Sequence, residues 1–100
     1  MYEIRKTVDF EIWLASIRDP LTRGRLFARL RKVSLGNFGD VAPISDGDGI
    51  WEMREYFGAG WRMYYIQRRK VIILMLGGGY KSTQKADIKK AKQLLQTLEG

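Results

Sequence analysis

Apolar and charged side chains alternate at the start of the chain, and the period then changes. Residues 2–6, "YEIRK", show the alternation of a half-buried strand. The next apolar residues recur at the three- and four-residue spacing of an amphipathic helix: Phe10, Trp13, Leu14 and Ile17. We therefore predict a strand over residues 2–6 and a helix that ends at Asp19-Pro20.

The Asp19-Pro20 pair also predicts the start of a second helix. Aspartate accepts hydrogen bonds from free N–H groups at the N-cap, and proline suits the first helical position. The apolar face of this helix is Leu26, Phe27, Leu30 and Val33. Gly36-Asn37 is typical of a helix end. We predict an αα-hairpin, followed by a loop or short strand over residues 36–49.

Three strands are predicted next, over residues 50–57, 61–67 and 70–76, joined by turns at "GAG" and near "RRK" into an antiparallel meander. The third strand is apolar throughout, so we expect it to be central and covered on both faces. "GGGYKSTQ" is predicted to end it, and a last helix begins near Thr83. The expected architecture is a single α+β domain over residues 1–100, in the order β-α-α-β-β-β-α.

The first hairpin of this meander separates its side chains into two faces. With "GAG" at the centre of the turn, Tyr56 lies opposite Arg62 and Arg54 opposite Tyr64. These four residues, with Glu52, would then share a solvent-exposed face. Guanidinium groups bind phosphate, and tyrosine rings stack on unpaired bases. The face therefore fits single-stranded RNA, although cross-strand arginine–tyrosine packing would explain it equally well.

Composition restricts the chemistry. The chain has 18 basic and 11 acidic residues, a net charge of +7, which favours polyanionic partners. It has neither cysteine nor histidine, which removes thiolate metal sites and the usual zinc ligands, and we expect no cofactor. Catalysis would have to use carboxylates, tyrosines, lysines and arginines. The longest apolar run, residues 71–76, is too short to cross a bilayer and the N-terminus is unlike a signal peptide, so we expect a cytoplasmic protein.

Two further basic groups are candidate binding sites. Arg25, Arg29 and Lys32 share one side of the second predicted helix, which indicates either an acidic partner or a solvated face. Lys81 follows the glycine run at the start of the last helix, where backbone amides and the ammonium group could hold a phosphate.

Four stretches of the chain resemble a known family when they are taken together in order: "FEIWLASIRD", "RGRLFARLRKVSLGNFGD", "GIWEMREYFGAGWRMYY" and "LMLGGGYKSTQKADIKKA". They are similar to the HigB-like addiction-module killer proteins of the RelE/ParE toxin superfamily, which belong to bacterial and phage-derived toxin–antitoxin systems. The resemblance covers about residues 2–95. It implies a small antiparallel sheet flanked by a helical hairpin and a C-terminal helix.

The resemblance also implies a function. It suggests an mRNA interferase, an endoribonuclease that cuts transcripts on the ribosome without a metal and is neutralised by an antitoxin containing a helix-turn-helix domain. In this reaction the ribose 2′-oxygen attacks the adjacent phosphorus. Arg62, in "GWR", matches the superfamily's phosphate-stabilising arginine, and Arg54, in "EMR", matches the arginine that ends the preceding strand. Lys81 falls near the basic residue after the glycine turn.

The sequence departs from the family pattern at several positions. Ile50 and Glu52 stand where RelE has lysines, Ala42 replaces another expected lysine, and Asp87 occupies the position of a tyrosine or histidine. The proton-transfer roles are therefore open among four residues: Glu52, Asp87, Tyr80 and Tyr64. Glu52 could instead form a surface salt bridge, and Asp87 could favour the first turn of its helix.

The implied binding residues form two sets. The RNA-binding set is Tyr56, Tyr64, Tyr80 and Lys85, and the antitoxin-binding set is Arg25, Arg29 and Lys32. Two other functions remain open. One is a ParE-like inhibitor of DNA gyrase, and the other is a toxin fold that has lost catalysis and is retained for binding.

Overall fold

The computed structural model describes residues 1–99. In chain order it contains β1 (Glu3–Lys6), α1 (Val8–Ser16), α2 (Pro20–Ser34), β2 (Val41–Pro43), β3 (Trp51–Arg54), β4 (Trp61–Arg68), β5 (Ile72–Tyr80) and α3 (Gln84–Glu99), with a 3₁₀ turn over Lys81–Thr83. The predicted α+β class and element order are confirmed. The structure has one strand more than this order, the short strand β2, which lies within the region predicted as a loop or short strand.

The five strands form one sheet in the order β1-β5-β4-β3-β2. All neighbours are antiparallel except β1 and β5, which pair in parallel from Glu3–Ile72 to Lys6–Met75. The resemblance implied an antiparallel sheet, and the parallel pairing of β1 with β5 is a departure from it. β5 is an internal strand as predicted, but the glycine run does not end it. Gly77, Gly78 and Gly79 stay extended because each pairs with a residue of β4.

The helix boundaries follow the predicted capping residues. Asp19 accepts the N–H of Leu21 at 3.2 Å, and Pro20 is the first residue of α2. Gly36, with a φ of +98°, follows the end of α2, in a conformation that glycine adopts without strain. α3 begins one residue after the predicted Thr83.

The helices cover both faces of the sheet. α1 and α2 pack on one face, and their buried side chains meet those of β3, β4 and β5: Phe10, Leu14, Ile17, Leu26, Leu30, Val33, Met53, Met63, Tyr65, Ile73 and Met75. α3 packs on the other face in a second, smaller core: Ile50, Tyr64, Ile66, Leu76, Ala91 and Leu95. This second core includes Tyr64, from the face that was predicted to be open.

The hairpin pairing differs from the prediction by two residues. Arg54 lies opposite Arg62, and Glu52 lies opposite Tyr64. The reason is that β3 ends at Arg54 and a longer connection, residues 55–60, replaces the tight "GAG" turn. Since side chains alternate along a strand, a shift of two residues keeps every strand side chain on its predicted face.

Candidate functional site

Arg62 lies at the centre of the candidate site, but it is not on an exposed face. Its side chain is buried, with 7% of the residue accessible to solvent. Nη1 donates to the carbonyls of Glu55 at 3.2 Å and Gly60 at 3.3 Å, and also to the carbonyl of Trp61. The prediction of a solvent-exposed arginine is therefore wrong, because the 55–60 connection folds over the end of β4 and supplies carbonyls to the guanidinium group.

Glu52 is the anionic neighbour of Arg62. Its Oε1 lies 3.8 Å from Arg62 Nε, and both side chains are buried. Gln84, in the first turn of α3, donates from Nε2 to Glu52 Oε2 at 2.7 Å. Glu52 thus holds Arg62 from within the protein and forms no surface salt bridge. The role of Gln84 was not found from the sequence, because nothing in the pattern shows that the start of α3 lies over β3.

Lys81 and Arg62 both lie next to Gly60. A Cβ on Gly60 would lie 3.3 Å from Lys81 Cβ and 3.8 Å from Arg62 Nη1. Gly60 also has a φ of +75°, which disfavours any larger residue. Lys81 is exposed, and its backbone N–H donates to the carbonyl of Ala59 at 3.3 Å. The 55–60 connection therefore binds both the backbone of Lys81 and the guanidinium group of Arg62.

Arg54 and Tyr56 complete the outer part of the site. Both bind Asp40: Arg54 Nη2 lies 2.8 Å from Oδ1, and the Tyr56 hydroxyl donates to Oδ2 at 2.5 Å. These hydrogen bonds, first from Arg54 and then from Tyr56, lower the pKa of Asp40. The bond to Asp40 also raises the pKa of Tyr56, whose ring lies 5.6 Å from the Arg62 guanidinium carbon. Tyr56 is 72% exposed, so its ring is accessible for stacking on a ligand. We call Arg54, Tyr56, Arg62 and Lys81 the hairpin cluster.

Tyr64, predicted as an RNA-binding residue, does not lie on the surface of the protein. It is fully buried beneath α3, and its hydroxyl has no hydrogen-bond partner within residues 1–99. Burial raises the pKa of Tyr64, with smaller contributions from Glu52 and Asp87. A ring in this position cannot stack on a base, so that prediction is wrong.

Asp87, Tyr80 and Lys85 lie beside the hairpin cluster. Asp87 accepts the hydroxyl of Thr83 at 2.5 Å and lies directly over Gly79, where a Cβ would come within 1.8 Å of Oδ2. Because Gly79 is the cross-strand partner of Arg62, Asp87 is a neighbour of Arg62 on the same face. Tyr80 is 38% exposed, and Lys85 is exposed at the start of α3.

The predicted antitoxin surface on α2 is only partly available. Arg29 is buried and binds the carbonyls of Phe38 and Asp40, the carbonyl of Arg54 and the carboxylate of Glu55. It therefore anchors the hairpin to α2 and cannot contact a partner, contrary to the prediction. Arg25 and Lys32 are exposed, with the Arg25 guanidinium 4.6 Å from the centre of the Phe57 ring. The helical spacing placed all three on one side but did not show that the 37–40 loop covers Arg29.

The fold and the site together define an α+β domain with a buried arginine–glutamate pair, and with Tyr56 and Lys81 exposed beside Arg62. The chain is 38% identical over 96 residues to an uncharacterized protein of Haemophilus influenzae, an alignment that covers 96% of this chain and 95% of that protein. The protein belongs to the same family as this relative. No family model matches the chain. No solved structure matches it. None of the helices within residues 1–99 has the length and apolar content needed to span a bilayer.

Proposed function

We propose that this protein is the toxin of a type II toxin–antitoxin system and a metal-independent endoribonuclease that cleaves mRNA on the ribosome. In this proposal it acts in the cytoplasm, and a cognate antitoxin with a helix-turn-helix domain neutralises it. The sequence resemblance supports the class. The observation that carries the proposal is that Lys81 and the Arg62 guanidinium group both flank Gly60, while Asp87 lies over Gly79, the cross-strand partner of Arg62.

In the proposed phosphate site, the phosphate binds the nitrogen of the Arg62 guanidinium group that makes no hydrogen bond or ion pair within residues 1–99. All three of its hydrogen bonds to carbonyls come from Nη1, and Nε faces Glu52. Nη2 is therefore the group left to donate to a phosphate oxygen. Lys81 adds a second positive charge at the surface, and the exposed ring of Tyr56 offers a stacking surface above Arg62. Donors fixed before the substrate binds are the most effective at stabilising charge in a transition state.

The reaction in this proposal is transesterification. The 2′-oxygen loses its proton to a base and attacks phosphorus, and the 5′-oxygen of the next nucleotide departs with a proton from an acid. The products are a 2′,3′-cyclic phosphate and a 5′-hydroxyl. Of the four candidates, Glu52 is engaged by Arg62 and Gln84, and Tyr64 is fully buried. Asp87 and Tyr80 line one open cavity, so we assign Asp87 as the base and Tyr80 as the acid.

The proposal is tested by induction in bacterial cells, followed by primer extension on abundant transcripts. We expect growth arrest and discrete cleavages within coding regions. Lys81→Met should reduce cleavage about 10²-fold, the usual effect of removing one electrostatic donor. Lys70→Met is the matched control, since Lys70 is exposed in the turn at the opposite end of the β4–β5 hairpin and should leave cleavage unchanged.

Two outcomes would contradict the proposal. Arrested growth with intact transcripts and damaged DNA would indicate a gyrase inhibitor. Unimpaired growth, with the purified protein still binding its antitoxin, would indicate a fold retained for binding alone. The buried ion pair between Arg62 and Glu52 favours the fold retained for binding alone as the second candidate function, because the pair stabilises the fold whether or not RNA is cut.

A further inference from the structure

The last turn of α1, the end of β5 and the 3₁₀ turn enclose an open cavity of about 400 Å³. Aromatic rings form much of its wall. Three rings take part: Trp13, Trp61 and Tyr80. The centre of the Trp61 ring lies 6.3 Å from that of Trp13 and 5.5 Å from that of Tyr80. A mostly apolar cavity with a few fixed polar groups is the usual form of a small-ligand site. This cavity borders the hairpin cluster, since Asp87 and Gly79 line it and Gly79 pairs with Arg62.

The cavity has polar groups both from side chains, namely Ser16, Arg18, Asp19, Thr83 and Asp87, and from the backbone of β5. β1 covers the outer edge of β5 only from Ile72 to Met75, so the edge beyond is not paired with a strand. Tyr80 directs its N–H outward, to Thr83 Oγ1 at 3.2 Å. Since alternate residues of an antiparallel strand point their N–H and C=O groups in the same direction, Gly78 also directs both groups outward. Gly78 lies against Trp13, where a Cβ would come within 2.4 Å of the ring.

The length of this free edge decides which ligand it fits. Thr7 closes one end, with its N–H 3.1 Å and its hydroxyl 2.8 Å from the carbonyl of Met75. Thr83 closes the other end at Tyr80. Between these two ends, Gly78 directs one donor and one acceptor outward. A peptide strand needs several consecutive pairs, whereas a nucleobase presents one adjacent donor and acceptor on its edge.

We propose that this cavity binds an unpaired purine base of the RNA, next to the phosphate held by the hairpin cluster. The base stacks against the tryptophan wall and pairs through one edge with the N–H and C=O of Gly78. A purine is favoured over a pyrimidine because its larger ring covers more of the aromatic wall. The inference rests on the proposed function, and it names the part of the substrate that the cavity recognises.

The probe for this proposal is a non-cleavable diadenosine monophosphate with 2′-O-methyl groups, compared with versions in which one or the other base is absent. Binding to the full-length protein is measured by ¹H–¹⁵N NMR. We expect loss of one particular base to weaken binding about ten-fold, as is typical for a stacked base. The indole N–H signals of Trp13 and Trp61 should shift during the titration, and that of Trp51 should not.

Two tryptophan variants complete the design. Trp61→Leu should remove the ten-fold difference between the intact and abasic probes, while Trp51→Leu, at an exposed position on β3, should preserve it. Equal binding of the intact and abasic probes would overturn the inference, even if the protein cleaves RNA. Base-dependent binding that responds to Trp61→Leu would support it, even if no RNA is cleaved. Indole shifts produced by an extended peptide and by no nucleotide would overturn it in favour of a protein partner.

Discussion

Replacing Arg62 with methionine tests whether this residue supports the fold as well as the proposed chemistry. Methionine fills similar space without charge or hydrogen bonds. In the structure Arg62 and Glu52 form a buried pair, with side chains 8% and 5% exposed. We expect Arg62→Met to destabilise the protein because it leaves the Glu52 carboxylate buried without its cation.

The size of the effect follows from the contacts. Breaking a buried ion pair by removing one partner costs about 3–5 kcal/mol. The separation of 3.8 Å is long, and Gln84 still donates to Glu52, so the lower end of that range applies. We expect a loss of about 3 kcal/mol in the free energy of unfolding, or about 15 °C in Tm for a domain of this size. Adding Glu52→Gln should restore about 1–2 kcal/mol, since the uncompensated charge is then gone.

The assay is urea unfolding followed by tryptophan fluorescence and circular dichroism. Arg68→Met is the control on the same strand, because Arg68 pairs with Glu99 at the surface and its loss should change stability by less than about 0.5 kcal/mol. If Arg62→Met behaves like Arg68→Met, the assignment of Arg62 to a buried structural pair is refuted.

Two further predictions concern the α3 face. Gly79→Ala should destabilise the protein by about 2 kcal/mol or more, because the added Cβ would collide with Asp87. The control is Gly24→Ala in α2, where the added Cβ has open space and should stabilise the protein by about 0.5–1 kcal/mol. Equal effects of the two variants in urea unfolding would contradict this packing. Tyr64→Phe should stabilise by about 1 kcal/mol because it removes a buried hydroxyl that has no partner within residues 1–99. Burial raises the pKa of Tyr64 in the folded protein above its value in the unfolded chain. Ionisation of Tyr64 therefore leaves the free energy of unfolding unchanged below about pH 10 and lowers it as the pH rises toward the folded pKa. Thermal unfolding of Tyr64→Phe should therefore be less sensitive to alkaline pH, and an unchanged pH profile would contradict the assignment.

The sequence predicted the elements of the fold well because local signals specify them. Capping at Asp19-Pro20 and the glycine after α2 act over a few residues, and both predictions were confirmed. The glycine run was misjudged for a physical reason. Glycine weakens an isolated strand, but pairing with β4 holds Gly77–Gly79 extended, and the absence of side chains there leaves room for Trp13 and Asp87.

The site was predicted less well because burial depends on distant parts of the chain. Alternation along the hairpin correctly placed Arg54, Arg62 and Tyr64 on one face. It did not reveal that α3 covers Tyr64, or that the 55–60 connection supplies carbonyls to Arg62. The burial of Arg29 was missed for the same reason, since its hydrogen-bond partners lie nine or more positions away in the sequence. Contacts of this kind leave no periodic signal.

End-group analysis of RNA provides the most direct test of the proposed chemistry. RNA from cells in which the protein has been induced is treated with polynucleotide kinase, either with or without its 3′-phosphatase activity, and the fragments are then ligated and sequenced. Attack by the 2′-oxygen near Arg62 and Lys81 predicts 2′,3′-cyclic phosphates on upstream fragments and 5′-hydroxyls on downstream fragments, both reduced about 10²-fold by Lys81→Met. Fragments with 3′-hydroxyls and 5′-phosphates, or an equal yield from Lys81→Met, would contradict it.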